Sequence, residues 1–199
     1  MMGRTLFIDP ERCTGCGACV SACRQCDSHR GTALVHIDQP DEGHNTASFP
    51  TLCMHCEDPA APCVQVCPAD ALRITPDGVV QQTDVTRCIG CSDCVNACPF
   101  GATEIDLRTK VPMKCDLCHD RTAQELDPLC ATVCPTGALF YGTLDDLYAA
   151  RPGVQVADSF AFGDATVRTG VATVVPADKV QWPVPAGLPV VEVNGVDVR

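Results

Sequence analysis

Seventeen of the 199 residues are cysteines, and sixteen of them fall into four groups of four. The groups run from Cys13 to Cys23, from Cys53 to Cys67, from Cys88 to Cys98 and from Cys115 to Cys134. A chain with this many thiols and only 5% aromatic residues cannot rely on a large apolar core. The internal repeat therefore predicts a fold organised around what the cysteines bind.

The spacing within the groups indicates iron–sulfur clusters. Groups one and three read C-x2-C-x2-C-x3-C, and groups two and four keep the first and last intervals but lengthen the middle one. Three closely spaced thiolates can bind one face of a cubane, while the fourth reaches the other cluster of a pair. Extra residues between the second and third ligands can bulge outward as a loop. We expect four [4Fe–4S] clusters on Cys13, Cys16, Cys19, Cys23, Cys53, Cys56, Cys63, Cys67, Cys88, Cys91, Cys94, Cys98, Cys115, Cys118, Cys130 and Cys134.

Two other metal sites use cysteines at related spacings. Structural zinc needs four ligands and has no use for a third cysteine two residues after the second. The stretch Cys19-x3-Cys23-x2-Cys26 matches the loop of radical enzymes that use S-adenosylmethionine, but that pattern leaves Cys13 and Cys16 without a role. We therefore expect Cys26 to be a spare structural thiol.

Charge and the first residues bear on partners and compartment. The formal net charge is −11, and four [4Fe–4S]²⁺ centres at about −2 each would take it to roughly −19, which makes nucleic acid a poor partner. Residues 1–9 lack a secretory signal pattern and a twin-arginine pair, so we expect a cytoplasmic protein, or one exported with a signal-bearing partner. No apolar run reaches the ~18 residues of a membrane helix, so we expect no direct membrane insertion.

Local patterns predict short elements around the cysteine loops. The alternation in residues 72–81 about Asp77-Gly78 predicts a β-hairpin. Thr143 begins a short predicted helix with Asp146 in a capping-box position, and Arg151 follows its end. From there the composition predicts an extended tail with short strands and a last hairpin about Asn194-Gly195. The fold class expected is α+β.

Some side chains near the ligands have two interpretations. Arg12, Arg87 and Lys114 each stand directly before the first cysteine of a group. Each is either a cation that raises a cluster's potential or an ordinary solvated side chain. His55 and His119 lie inside ligand loops and either donate hydrogen bonds to sulfur or have a structural role.

The phrases CTGCGACVSAC, CMHCEDPAAPCVQVCPADAL, CIGCSDCVNACPFGA and KCDLCHDRTAQELDPLCATVCPTGAL resemble a known family over about Leu6 to Thr143. It is the family of four-cluster ferredoxin-like subunits of molybdopterin or tungstopterin oxidoreductases, such as dimethyl sulfoxide reductase, polysulfide reductase and formate dehydrogenase. The resemblance implies two nested bacterial-ferredoxin-like modules, module A (residues 1–50 and 108–142) and module B (residues 51–107). It leaves residues 143–199 as a tail without a family motif. We expect this tail to bind a partner, and the alternative is a tail that folds back to cover the protein's own clusters.

The resemblance also implies how the ligands are shared, because group one pairs with group four and group two with group three. In module A the two clusters are then held by Cys13, Cys16, Cys19 with Cys134, and by Cys115, Cys118, Cys130 with Cys23. In module B they are held by Cys53, Cys56, Cys63 with Cys98, and by Cys88, Cys91, Cys94 with Cys67.

The expected function is a non-catalytic electron wire, since all sixteen ligands are used on clusters and none leaves an open metal position. The resemblance implies a catalytic molybdenum- or tungsten-pterin subunit as partner and leaves open a further redox or membrane-anchor subunit. Two alternatives remain: a wire in a hydrogenase-type complex, and a free polyferredoxin carrier.

Overall fold

A computed structural model describes residues 3–39, 48–176, 190–193 and 196–198. Its helices and strands are short up to residue 150, because the ligand loops occupy most of the chain there. The α-helices of this part are α1 (Ala18–Cys23), α2 (Pro62–Gln65), α3 (Asp93–Asn96), α4 (His119–Thr122), α5 (Leu129–Val133) and α6 (Leu144–Ala150). Its strands are β1 (Thr5–Ile8), β2 (Val35–Asp38), β3 (Phe49–Leu52), β4 (Cys56–Asp58), β5 (Glu104–Ile105), β6 (Pro112–Met113) and β7 (Leu139–Gly142). Two single 3-10 turns cover Pro10–Arg12 and Asp27–His29.

Longer strands follow after α6. They are β8 (Val154–Phe162) and β9 (Ala165–Pro176), then the shorter β10 (Val190–Val193) and β11 (Val196–Val198). The mixture of short helices and strands agrees with the predicted α+β class. None of the helices in the described ranges is long and apolar enough to cross a bilayer.

One sheet connects the two ends of the chain. Within the described residues it has seven strands in the order β11-β10-β8-β9-β1-β7, and β4 also pairs with β9. Strand β1 pairs antiparallel with β7 and parallel with β9. The pairs β2-β3 and β5-β6 form separate two-stranded ribbons. The ligand loops of groups one, two and four therefore begin or end at strands that meet in or beside one sheet.

Cysteine thiols are part of the main core. That core contains Leu6 and Ile8 of β1, Val171 of β9 and buried cysteines from all four groups. The alternate residue of β1, Phe7, packs on the opposite face of the sheet with Leu147 of α6. Successive side chains of a strand point to opposite faces of its sheet, as they do in β1. The low aromatic content is consistent with a core that includes the cysteines.

The predicted helix cap is confirmed. The hydroxyl of Thr143 accepts a hydrogen bond from the backbone N–H of Asp146, and the Asp146 carboxylate accepts one from the backbone N–H of Thr143. The hairpin predicted about Asp77-Gly78 is reduced to an isolated bridge between Ile74 and Val80 with a turn at Gly78. Backbone hydrogen bonds still join the two arms, from Thr75 to Val79 and from Gln81 to Arg73.

The residues after α6 differ from the extended tail with short strands that the composition predicts. Strands β8 and β9 are 9 and 12 residues long and form a hairpin closed by Gly163, which has a φ of 62°. Strand β9 also pairs with β1 and β4, so this segment joins the sheet beside the ligand loops. Strands β10 and β11 pair antiparallel, while the turn predicted between them at Asn194-Gly195 lies outside the described residues.

Candidate metal centres

The first set of four cysteines combines group one with the end of group four. Cys13, Cys16, Cys19 and Cys134 line one cavity, together with apolar side chains such as Ile37. Within this loop Gly15 and Gly17 have φ values of 68° and 70°, which other residues rarely adopt. A Cβ atom on Gly15 would also lie 2.6 Å from the Ser48 hydroxyl oxygen, so both backbone angle and space require glycine there.

The second set combines group three with the end of group two. Cys88, Cys91, Cys94 and Cys67 line another cavity, whose remaining wall is mostly apolar and includes Leu72 and Pro112. The backbone N–H of Ala71 donates to the sulfur of Cys67 at 3.3 Å. Cys94 is buried in helix α3, while Cys91 is exposed at the surface.

The third set contains Cys53, Cys56, Cys63 and Cys98. Burial and, secondarily, the charges of Cys53, Cys98 and Cys63 raise the pKa of Cys56 to about 12. Burial likewise raises the pKa of Cys53 to about 12. The mutual repulsion shows that these four thiols lie close together although they come from two groups.

The fourth set contains Cys115, Cys118, Cys130 and Cys23, and all four are buried. Burial raises the pKa of Cys130 to about 12, with a further contribution from the charge of Cys23. Burial also raises the pKa of Cys115 and of Cys118, and each responds to the charge of Cys130. Each of the four sets thus combines three cysteines of one group with a single cysteine of another group.

The donor chemistry of these sets fits iron–sulfur clusters. Four thiols with a largely apolar surround are the ligand set of a [4Fe–4S] centre. Burial and mutual repulsion raise the pKa of thiols such as Cys53, Cys56 and Cys130, so a cationic body bound between them would favour their thiolate forms. In the described ranges, no three His, Cys, Asp or Glu side chains are spaced to hold a single metal ion.

His29 is a neighbour of the ligands that the sequence analysis did not identify. Its Nε2 atom lies 3.2 Å from the sulfur of Cys23, and its Nδ1 atom lies 2.8 Å from the hydroxyl of Ser28. The backbone N–H of Leu34 donates to the same sulfur at 3.2 Å. No sequence pattern predicted this contact, because His29 lies outside the cysteine repeats.

The two histidines of the ligand loops differ from His29. The Nδ1 atom of His55 accepts a hydrogen bond from the backbone N–H of Val80, which places the proton on Nε2. Burial and, secondarily, the charge of Lys114 lower the pKa of His55 to about 3, so its imidazole is neutral. Among the described residues, neither Nε2 of His55 nor Nδ1 of His119 has a hydrogen-bond partner. A buried N–H at a ligand loop can donate to the sulfur of a bound cluster.

The three basic residues before the ligand groups lie in different environments. Arg12 is half exposed and pairs with Asp9, and Arg87 pairs with Asp70 at 2.9 Å on the surface. Lys114 is completely buried, and its ammonium group donates a hydrogen bond to the Thr103 hydroxyl. Of these three residues, only Lys114 therefore holds its cationic group away from water.

The seventeenth cysteine lies beside the fourth set. Cys26 is buried, and its sulfur lies 3.4 Å from the hydroxyl of Ser28 and 3.8 Å from a carboxylate oxygen of Asp120. Its thiol also adds to the rise in the pKa of Cys118, after the larger effect of burial. The set next to it already has four cysteines, so Cys26 remains a fifth.

Comparison with known proteins agrees with the geometry. A domain family described as "4Fe-4S dicluster domain" matches residues 44–144, and a "4Fe-4S binding domain" matches residues 6–25. The chain is 38% identical to a sulfite dehydrogenase subunit of Allochromatium vinosum, over 71% of this chain and 69% of that protein. The protein belongs to the iron–sulfur electron-transfer subunits of molybdopterin-type oxidoreductases.

Further members of this subunit family are equally similar. The chain is 41% identical to the thiosulfate reductase electron transfer subunit of Salmonella typhi, over 71% of this chain and 76% of that protein. It is 39% identical to a subunit of the anaerobic dimethyl sulfoxide reductase of Escherichia coli, over 71% of this chain and 74% of that protein. As a subunit of this family, the chain carries [4Fe–4S] centres, in agreement with the prediction from its cysteine spacing.

Proposed function

We propose that this chain carries four [4Fe–4S] clusters and relays single electrons to or from a molybdenum- or tungsten-pterin catalytic subunit, without catalysing a reaction itself. The observation that carries the proposal is the assembly of sixteen cysteines into four sets, each made from two distant groups. Relatives of the chain are named as subunits of thiosulfate reductase and dimethyl sulfoxide reductase, which supports a catalytic partner.

The proposed ligand sets correspond to two nested modules. Groups one and four would form module A (residues 1–50 and 108–142), and groups two and three would form module B (residues 51–107). When a cluster is bound, it accepts or gives one electron. The protein's part is to supply the thiolates, exclude water with the apolar residues around each set and donate hydrogen bonds to sulfur, as Leu34 and Ala71 do.

Exposure of the ligands supports an order for the relay. Cys16 of the first set and Cys91 of the second set are exposed, whereas all four ligands of the Cys115 set are buried. Cys19 affects the pKa of Cys130, after burial and Cys23, which makes the Cys13 and Cys115 sets neighbours. The charge of Cys63 contributes to the raised pKa of Cys94, where burial is the larger cause, so the Cys53 and Cys88 sets are also neighbours. Lys114, the residue before Cys115, acts on the pKa of Cys53, after the larger effect of burial, and so links the two pairs of sets. The proposed path runs from the Cys13 set through the Cys115 set and the Cys53 set to the Cys88 set.

Iron and sulfide analysis tests the cluster number, and copurification tests the partner. The purified chain should contain about sixteen irons and sixteen sulfides, with EPR signals of four reducible centres. Metal analysis of the complex isolated through this chain should find molybdenum or tungsten. Nickel in that complex would indicate a hydrogenase-type wire, and isolation without a partner would indicate a free carrier; either result would contradict the proposed partner.

A further inference from the structure

Two oppositely charged residues flank Cys115, and both are buried. Lys114 is 1% exposed and Asp116 is 3% exposed. In the described part of the chain neither forms a salt bridge. The Lys114 ammonium donates to the Thr103 hydroxyl, and a carboxylate oxygen of Asp116 accepts from the backbone N–H of Cys118 at 3.0 Å. A buried ion without a counter-ion is energetically unfavourable, so these charges need compensation or have a function.

The two ions face different sets of cysteines. The Lys114 ammonium donates a hydrogen bond to the Thr103 hydroxyl, and the Lys114 carbonyl accepts one from the side-chain amide of Gln82, so residues of module B hold the cation. In agreement with this position, the charge of Lys114 opposes the rise that burial causes in the pKa of Cys53, Cys63 and Cys94, which belong to the two sets of module B. The Asp116 carboxylate instead accepts a hydrogen bond from the backbone N–H of Cys118, a ligand of module A. The cation therefore lies on the module B side of Cys115 and the anion on the module A side.

We propose that Lys114 and Asp116 create a step in reduction potential at the junction of the two modules, so that an electron is held preferentially in module B. This inference rests on the proposed function. The step would concern one electron, which would leave a cluster bound by the Cys115 set and reduce a cluster bound by the Cys53 set. No proton moves and no bond to carbon, oxygen or nitrogen changes.

The physical reason is the charge that reduction adds. A reduced cluster carries one more negative charge, which a nearby cation stabilises and a nearby anion destabilises. Both effects are strong at this junction because the two ions are shielded from water. Arg87 and Asp93 also stand next to cluster ligands, but they are exposed to solvent, which screens their charge. They provide matched controls.

EPR-monitored redox titration of the full-length protein tests the proposal. In Lys114→Met the two module B centres should become harder to reduce. At a fixed solution potential the ratio of reduced to oxidised centres should fall by about tenfold, which is a shift of about 59 mV for one electron. Lys114→Arg should keep the original potentials. Asp116→Asn should make one module A centre easier to reduce. The double variant with Lys114→Met and Asp116→Asn should have a smaller difference in reduction potential between the two modules.

The controls Arg87→Gln and Asp93→Asn should leave the reduction potentials of all four centres unchanged. Equal shifts of all four centres in Lys114→Met, or no shift with all clusters present, would overturn the proposal. If Lys114→Met loses iron, retention of iron and potentials in Lys114→Arg still supports a need for the charge, whereas loss in both variants contradicts it. Iron analysis of the unaltered protein comes first. A content well below sixteen irons would contradict the proposed four-cluster function itself, independently of the Lys114 variants.

Discussion

The Nε2 atom of His29 lies 3.2 Å from the sulfur of Cys23, and both side chains are buried. Since a cluster-bound thiolate can only accept, Nε2 must carry the proton, and Nδ1 then accepts from the hydroxyl of Ser28. The imidazole is thus fixed as a hydrogen-bond donor to one ligand of the Cys115 set.

Replacing His29 by Phe should lower the potential of one cluster. A hydrogen bond to sulfur stabilises the reduced form, and its loss should cost about 1 kcal/mol, which corresponds to about 40 mV for one electron. EPR-monitored titration measures this shift. His36→Phe is the control, because His36 lies near Asp38 and Glu104 on the surface. The idea is wrong if both variants shift the same centre, or neither does.

Cys94 and Cys26 should respond in opposite ways to replacement by serine. Cys94 is part of a set with Cys67, Cys88 and Cys91, so its loss removes one corner iron and leaves three ligands. The expected product is a [3Fe–4S] centre with a higher potential, since cluster type is a main determinant of potential. Cys26 is a fifth thiol beside a complete set, so Cys26→Ser should keep all iron.

Iron and sulfide analysis with EPR of oxidised and reduced samples decides both cases. An unaltered signal in the Cys94 variant would remove Cys94 from the ligands. Loss of a cluster in the Cys26 variant would instead make Cys26 a ligand and leave one of its neighbours, such as Cys118, without that role.

Loss of one partner from the buried ion pair of Asp9 and Arg151 should destabilise the fold. Arg151 Nη1 lies 2.8 Å from a carboxylate oxygen of Asp9, and Arg151 also donates to the carbonyl of Gly137. Removing one partner leaves a buried charge unpaired, so Asp9→Ala should reduce the free energy of unfolding by about 3–5 kcal/mol. Denaturant unfolding of the cluster-loaded protein measures it. Asp27→Ala, which breaks an exposed pair with Arg30, should cost less than about 1 kcal/mol; a similar loss in both variants would contradict the buried-pair argument.

Local chemistry could be predicted from the sequence, and long-range packing could not. The cap formed by Thr143 and Asp146 depends on neighbours in the chain, and the spacing of each cysteine group limits what it can bind. Arg12, Arg87 and Lys114, in contrast, have equivalent positions in the repeat. Of these three residues only Lys114 is buried, and its ammonium group contacts Thr103, which lies outside its own cysteine group.

The pairing of β9 with the beginning of the chain shows the same limit. Val-rich residues after α6 indicate strands, but no local pattern states that Ala172 pairs with Phe7 across most of the sequence. The partner-binding role expected for residues 143–199 stays a prediction. If a chain shortened to end at Ala150 kept its full iron content and still bound its partner, that role would be wrong.

Strand β9 is hydrogen-bonded to the ligand loop between Cys53 and Cys56, and Gly170 lies directly against this loop. The backbone N–H groups of Gly170 and Val171 donate to the carbonyls of His55 and Met54 at 2.9 and 3.2 Å. A Cβ atom on Gly170 would lie 3.3 Å from the His55 carbonyl oxygen, which is tighter than ordinary contact. A branched side chain should therefore push the strand away from the loop.

Gly170→Val should accordingly weaken binding of the cluster on the Cys53 set while the other three remain. Iron release to a chelator should become faster for about a quarter of the iron, because one of four clusters is affected. Gly3→Val is the matched control, since a Cβ atom there meets nothing within 4 Å. Unchanged release in Gly170→Val would show that β9 does not support the loop. Faster release of all iron would instead point to general unfolding, and the control should show neither effect.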